Sequence, residues 1–354
     1  MKSAKPQLYL LWGADIGEHV IALAWAPSPD APLLAAAAVG GPITIFGLDG
    51  HVAGCLPGHG FGTTALAWRP GTATLTSAGQ DGKVRLWDVA RGVEVAALAG
   101  GAAWVERLAW SPDGAWLATA AGRRLRLWGP DGVLVREYPA HASTIADIAW
   151  LNPTRLPEVN PTGPILAAAA YGGLTLWSPK QEEPLVRFAW KGSSLVLAPS
   201  PDGRYIATGD QDASVHFWIV ADGHDLQMSG YLTKVRELSW DPTARYLATG
   251  GSSSVTVWDC GGAGPEGTRP KVLDWHEDYV SAVAFQRQGA AQALLASGGL
   301  DARLALWRAE KSRKAPLAMA EMSAPVSQLA WSPDDTCLAA GDAAGSVQLY
   351  GVRG

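Results

Sequence analysis

Cysteine is scarce in this chain: 354 residues hold only Cys55, Cys260 and Cys337. They are odd in number and far apart, which argues against a disulfide framework or a cysteine-rich zinc knuckle. A reducing compartment, the cytoplasm, is the expected setting. Positive charge is not in excess either. Lys and Arg number 28 against 33 Asp and Glu, a net charge of -5, so no general attraction to nucleic acid or to an anionic membrane follows. The opening segment MKSAKPQLYLLWGAD has an apolar stretch of about six residues, too short for a secretory leader and far too short to span a bilayer. Charged residues make up 17% of the chain and hydrophobic ones 48%, a balance that argues against disorder. Helical periodicity is also missing, so essentially no helix is expected. The histidines form no HExxH motif and no Cys/His cluster, and neither a phosphate loop nor a nucleophile elbow occurs. No metal and no cofactor is expected.

What the chain does have is one phrase, repeated eight times: an apolar run ending in an aromatic residue, a turn, an Ala-rich run, a second turn, and an alternating strand ending in another aromatic. The first part reads VIALAW at Val20–Trp25, TTALAW at Thr63–Trp68, VERLAW at Val105–Trp110, IADIAW at Ile145–Trp150, SLVLAP at Ser194–Pro199, VRELSW at Val235–Trp240, VSAVAF at Val280–Phe285 and VSQLAW at Val326–Trp331. The second aromatic falls at Phe46, Trp87, Trp128, Trp177, Trp218, Trp258, Trp307 and Tyr350. That spacing matches a four-stranded propeller blade. One unit cannot bury its own apolar faces, so all eight must stack. The expected fold is all-β: a single closed β-propeller domain over residues 1–354 with eight four-stranded blades, seven being the alternative.

The eighth unit lacks a fourth strand, and an orphan strand, Gln7–Trp12, precedes the first. The N-terminal strand should therefore complete the last blade and remove two raw sheet edges, with Leu8, Leu10 and Trp12 facing one side of it. Three stretches read as loops by composition: residues 151–164, residues 261–270, and the locally basic 308–314. SPDG turns are expected at Ser111–Gly114 and Ser200–Gly203.

The repeats resemble the WD-repeat β-propeller family, and the resemblance covers almost the whole chain. The literal Trp-Asp pair stands at Trp87-Asp88 and Trp258-Asp259. The resemblance implies a network of His, Ser or Thr, Asp and Trp tying a blade together. The matching residues are His59, Ser77, Asp81 and Trp87 in the second unit and His276, Ser297, Asp301 and Trp307 in the seventh. The fifth unit offers Thr208, Asp212 and Trp218 without a matching histidine. The other units lack the Asp, and apolar packing is expected to hold them. A His–Asp–Ser set also suggests a hydrolase triad, but its serine would lie inside a sheet with no open face for substrate.

Functional residues on such propellers come from the rim of one face, through loops entering first strands and between second and third strands. There the candidates for partner binding are His19, Gln80, Trp104, Glu106, Gln211, Lys234, Arg236 and Tyr279. The mixture of aromatic, cationic and polar groups suits a protein or peptide docking surface better than a catalytic pocket. The expected function is a non-catalytic protein–protein interaction scaffold, monomeric on its own. The alternative is an enzyme or small-ligand binder using the central channel.

Overall fold

Each repeat folds into four antiparallel strands, and no helix occurs among the described residues. The structure, a computed structural model, describes residues 6–27, 32–152, 156, 161–262, 264–288 and 293–353. Blade one is Val20–Trp25, Leu34–Ala38, Ile43–Phe46 and Val52–Leu56; blade two is Thr63–Trp68, Thr74–Gly79, Lys83–Asp88 and Val93–Ala99. Blade three is Arg107–Trp110, Leu117–Ala121, Arg124–Trp128 and Leu134–Glu137. Blades four and five share continuous segments. Ile165–Trp177 supplies the second and third strands of blade four beside Ile145–Leu151. Val186–Pro199 is first the outer strand of blade four and then the first strand of blade five, which continues with Tyr205–Asp210, Val215–Ile219 and Asp225–Met228. Blade six is Leu238–Trp240, Tyr246–Thr249, Ser254–Asp259 and Lys271–Asp274; blade seven is Val280–Phe285, Leu294–Gly299, Arg303–Arg308 and Ala318–Glu321. Blade eight is Val326–Trp331, Cys337–Asp342, Ser346–Arg353 and, as its outer strand, Gln7–Asp15. The fold is an eight-bladed β-propeller whose last blade is completed by the N-terminal strand.

The chain falls into two compact units. One comprises residues 1–39, 44–53 and 231–354 and holds most of blade one with blades six to eight; the other comprises 40–43 and 54–230 and holds blades two to five. In each, the core lies between successive blades. Second strands are sandwiched on both faces, which leaves room only for small side chains: Ala35–Ala38 and Ala339–Ala340 in the first unit and Ala167–Ala170 in the second are all buried. The aromatic that ends a first strand reaches sideways. In the first unit Trp25 Nε1 donates to Ala330 O at 3.0 Å and Trp331 Nε1 to Ala284 O at 2.9 Å. In the second, Trp110 Nε1 donates to Thr76 Oγ1 and Trp150 Nε1 to Ala109 O, both at 3.0 Å. A tryptophan suits this place because its large apolar ring fills the gap between blades while its single N–H finds a partner in the neighbour. Hydroxyls one residue into first strands do the same work: Ser281 Oγ donates to Val326 O and Ser327 Oγ to Val20 O.

The N-terminal strand departs from the expected one-sided face. It carries a bulge between Leu10 and Trp12, where Leu10 lies opposite Tyr350 and Trp12 opposite Leu349. An extra residue in a strand inverts the facing of everything beyond it. Leu8 therefore packs toward blade seven, among Leu304, Leu306 and Tyr350, whereas Trp12 packs on Phe46 of blade one, ring centroids 5.2 Å apart. Leu10 is left 55% exposed. Both SPDG turns form: Gly114 N donates to Ser111 O, and Gly203 N to Ser200 O. The basic loop 308–314 is not a free solvated loop. Asp274 N donates to Arg313 O and Arg313 N to Val272 O, so Arg313 joins the edge of blade six. Half of the 151–164 stretch, residues 153–155 and 157–160, lies outside the described residues, and Leu156 is buried against blades four and five.

Candidate docking site and the networks beneath it

The network expected in blades two and seven forms. His59 Nδ1 lies 2.8 Å from Asp81 Oδ1 and Nε2 2.8 Å from Ser77 Oγ, and Trp87 Nε1 donates to the same Oγ at 2.8 Å. In blade seven His276 meets Asp301 at 3.1 Å and Ser297 Oγ at 2.8 Å, and Trp307 Nε1 donates to Ser297 Oγ at 2.8 Å. The accounting is complete in one tautomer. Nδ1–H donates to the carboxylate, the serine hydroxyl donates to Nε2, and the serine oxygen accepts from the indole. Burial outweighs the carboxylates and holds both imidazoles below the ordinary histidine pKa. Asp81 is held low by its bonds to His59 and Arg85, against the upward push of burial. Ser77 and Ser297 are fully buried, so no substrate carbonyl reaches either Oγ. Unlike the histidines, Asp81 and Asp301 are not fully covered, with side chains 13% and 6% exposed.

Blades three and six do not rely on apolar packing alone. In blade three Thr119 Oγ1 takes the serine's part and accepts from Trp128 Nε1 at 2.9 Å. In blade six Trp258 Nε1 donates to Tyr231 OH, which lies 2.9 Å from Thr249 Oγ1. Blade five differs from the sequence reading: Asp212 is exposed and accepts from Ser214 Oγ at 2.7 Å. The buried carboxylate is Asp210, two residues earlier, and burial pushes its pKa up to about 6 against the pull of the Ser194 and Thr208 hydroxyls. The backbone explains the swap. Asp210 still pairs with Ser194 inside the sheet, whereas Asp212 sits in the turn beyond it.

Above the networks, the loop into a first strand is tied by backbone hydrogen bonds to the turn between a second and a third strand. Val105 N donates to Gly79 O and Gln80 N to Gly62 O; Leu300 N donates to Tyr279 O, Leu232 N to Gly251 O and Val39 N to His19 O. These ties set the candidate residues at blade ends. In the unit of blades two to five, Gln80 and Trp104 stand on adjoining loops, and Trp104 is 53% exposed. Glu106 is partly structural, since its Oε2 accepts from Gly122 N. Gln211 is exposed and bonded through its N–H to Ser193 O, away from the Trp104 loop. In the other unit Lys234, Arg236 and Tyr279 are exposed and His19 is half-buried.

Sequence reasoning missed the most exposed large hydrophobic side chain among the described residues. Phe61 is 78% exposed, beside the Gly62 that receives Gln80 N. Leu232, 72% exposed, and Tyr171, 58% exposed, were missed as well. An aromatic in a glycine-flanked loop, GFG at 60–62, was the available signal. Among the described residues no group of three or more His, Cys, Asp or Glu side chains is placed to hold a metal ion.

The chain is similar to the WD repeat-containing protein slp1 of Schizosaccharomyces pombe, 27% identical over 194 residues that cover 52% of this chain and 38% of that protein. It is also similar to Protein HIR1 of Cryptococcus neoformans, 22% identical over 333 residues that cover 80% of this chain and 37% of that protein. The chain thus spans well under half the length of these relatives. Among solved structures, the computationally designed Ika8 protein shares the fold with a TM-score of 0.78 at 20% identity, over 95% of this chain and 97% of that one. The WD domain, G-beta repeat, matches residues 47–88, 92–129, 190–218, 223–259 and 319–350, half of the chain in all, and the protein belongs to that WD-repeat family.

Proposed function

We propose that the protein is a non-catalytic scaffold that docks another protein or a peptide on the blade ends where loops enter the first strands. WD-repeat propellers are typically protein-interaction scaffolds. The observation that carries the reading is the pair Phe61 and Trp104, large aromatics 78% and 53% exposed on loops that both adjoin the Gln80 turn. Neither ring is needed by the repeat: positions equivalent to Trp104 hold Gly62, Thr144, Ser193 and Pro325 in other units, and positions equivalent to Phe61 hold Ala103, Gly192 and Ala324. Rigid aromatic groups held on a backbone-bonded loop lose little entropy on binding and dominate interface energetics. Gln80 and Glu106 supply polar groups beside them; in the other unit Lys234, Arg236 and Tyr279 are exposed at their own blade ends. A cytoplasmic setting remains part of the proposal, consistent with three unbridged cysteines.

The test is co-purification from a native lysate with the intact chain, a Phe61→Ala/Trp104→Ala variant, and a Val95→Ala control on the outer strand of blade two. Both variants should fold. A partner retained by the control and lost with the double variant is the expected result. A partner that survives the double variant but is lost on altering 308–314 would place docking elsewhere.

A further inference from the structure

Blade four keeps the histidine and the tryptophan of the network but neither of its oxygen groups. His141 stands nine residues before Trp150, as His59 stands before Trp68 and His276 before Phe285. Its Ile148 lies opposite Ala168, in the register where Leu66 lies opposite Ser77 and Val283 opposite Ser297. Six residues before Trp177, where Asp81 precedes Trp87 and Asp301 precedes Trp307, stands Tyr171, which is exposed. The consequence is direct. Among the described residues, His141, 9% exposed, has no hydrogen-bond partner at either ring nitrogen, and Trp177, 2% exposed, has none at Nε1. Such groups are costly to leave buried.

Both rings, 5.7 Å apart between centroids, line one cavity of about 250 Å³. Tyr171, Gly173, Arg187 and Phe188 contribute to its wall, and no acidic residue does. Gly173 is required there: its φ is 118°, and a Cβ would fall 2.0 Å from Phe188 O. Burial and the nearby Arg187 hold the His141 imidazole neutral, its pKa down at about 4. It therefore offers one N–H, the Trp177 indole offers a second, and Arg187 supplies positive charge. In blades two and seven the same His–Trp pair is satisfied by oxygens, a serine hydroxyl and an aspartate carboxylate.

We propose that this cavity in blade four is a binding site for a small carboxylate, whose oxygens accept from Trp177 Nε1–H and the His141 ring N–H while Arg187 faces its charge. The carboxylate replaces from outside the oxygens that Ala168 and Tyr171 do not provide. It is either a free small acid or an aspartate side chain carried by a partner, and the cavity is several times the volume of one water.

The experiment titrates the full chain with succinate, with the blocked tripeptide acetyl-Gly-Asp-Gly-amide, and with neutral succinamide, following the Trp177 indole resonance and the heat of binding. Succinate or the tripeptide should shift that resonance saturably, and succinamide should not. Binding of the tripeptide but not succinate assigns the site to a partner's side chain; the reverse assigns it to a free acid. Trp177→Phe, which keeps the ring packing, should weaken binding about tenfold or more, the worth of one hydrogen bond to a charged acceptor. Ala168→Ser, which returns the internal acceptor, should raise the melting temperature and weaken binding too. The proposal fails if neither acid moves the Trp177 resonance, if succinamide binds as well as succinate, or if both variants bind like the parent chain.

Discussion

Arg107 Nε donates to Asp147 Oδ1 at 3.1 Å, joining the first strand of blade three to that of blade four. The other carboxylate oxygen accepts from Leu197 N, in the first strand of blade five, at 2.9 Å. One side chain thus staples three successive blades. Burial pushes the Asp147 pKa up, and Arg107 with the backbone donors opposes it. Asp147→Ala removes acceptors from Arg107 and from the Leu197 amide together, and should cost about 2 to 4 kcal/mol in urea unfolding. Arg107→Ala should cost less, because its side chain is 42% exposed and the carboxylate keeps its backbone donors. Equal losses would mean that the carboxylate does not join the blades.

Asp81 lies in the turn before the strand Lys83–Asp88 and Asp88 ends that strand, so their substitution should separate network from surface. Asp81 bonds His59, Arg85 and Lys83 N, whereas Asp88 accepts from Arg91 N. Asp81→Ala should cost on the order of 1 to 3 kcal/mol through the buried imidazole it strands. Asp88→Ala should cost well under half as much. Thermal unfolding of the two variants side by side decides it.

The fold was legible because the repeat is a packing rule written eight times. Small residues recur where second strands are sandwiched, and aromatics recur where a blade meets its neighbour. Two kinds of feature escaped. Asp212 lost its place to Asp210 because register within a sheet, not distance from a tryptophan, decides which carboxylate is buried. His141 escaped because its serine and aspartate partners are absent, so a motif search had nothing to complete. The docking residues were only half legible. Trp104 stands out in sequence as a tryptophan with no repeat role, but the openness of Phe61 depends on how its loop lies against the Gln80 turn.

The bulge in the N-terminal strand gives a sharp contrast between neighbours. Trp12 Nε1 donates to Leu48 O at 2.9 Å and its ring lies on Phe46, while Leu10 is 55% exposed. Trp12→Ala should destabilise by about 2 to 3 kcal/mol and Leu10→Ala by less than about 0.5 kcal/mol. Without the bulge both would face the same side and the two losses would be similar. Denaturant midpoints measured on both variants distinguish the cases.

Asp210 and His141 make opposite contributions to the pH dependence of stability. The carboxyl pKa of Asp210 is raised from 3.8 to about 6, so between those values the folded chain holds a proton that the unfolded chain releases. Its contribution is present at acid pH and is lost as pH rises from about 4 to about 6. The imidazole pKa of His141 is lowered from 6.5 to about 4, so in its window the unfolded chain holds the extra proton. Its contribution is complete above about pH 6.5 and is lost as pH falls toward 4. Over their shared range the two slopes oppose each other. Asp210→Asn keeps the shape of the neutral acid and removes one slope. The variant's stability relative to the parent chain should therefore rise by roughly 2 kcal/mol from pH 4 to pH 6 and stay level above it. Urea unfolding at half-unit pH intervals measures the difference curve directly. A curve flat between pH 4 and 6 would show that Asp210 is ionised in the folded chain throughout.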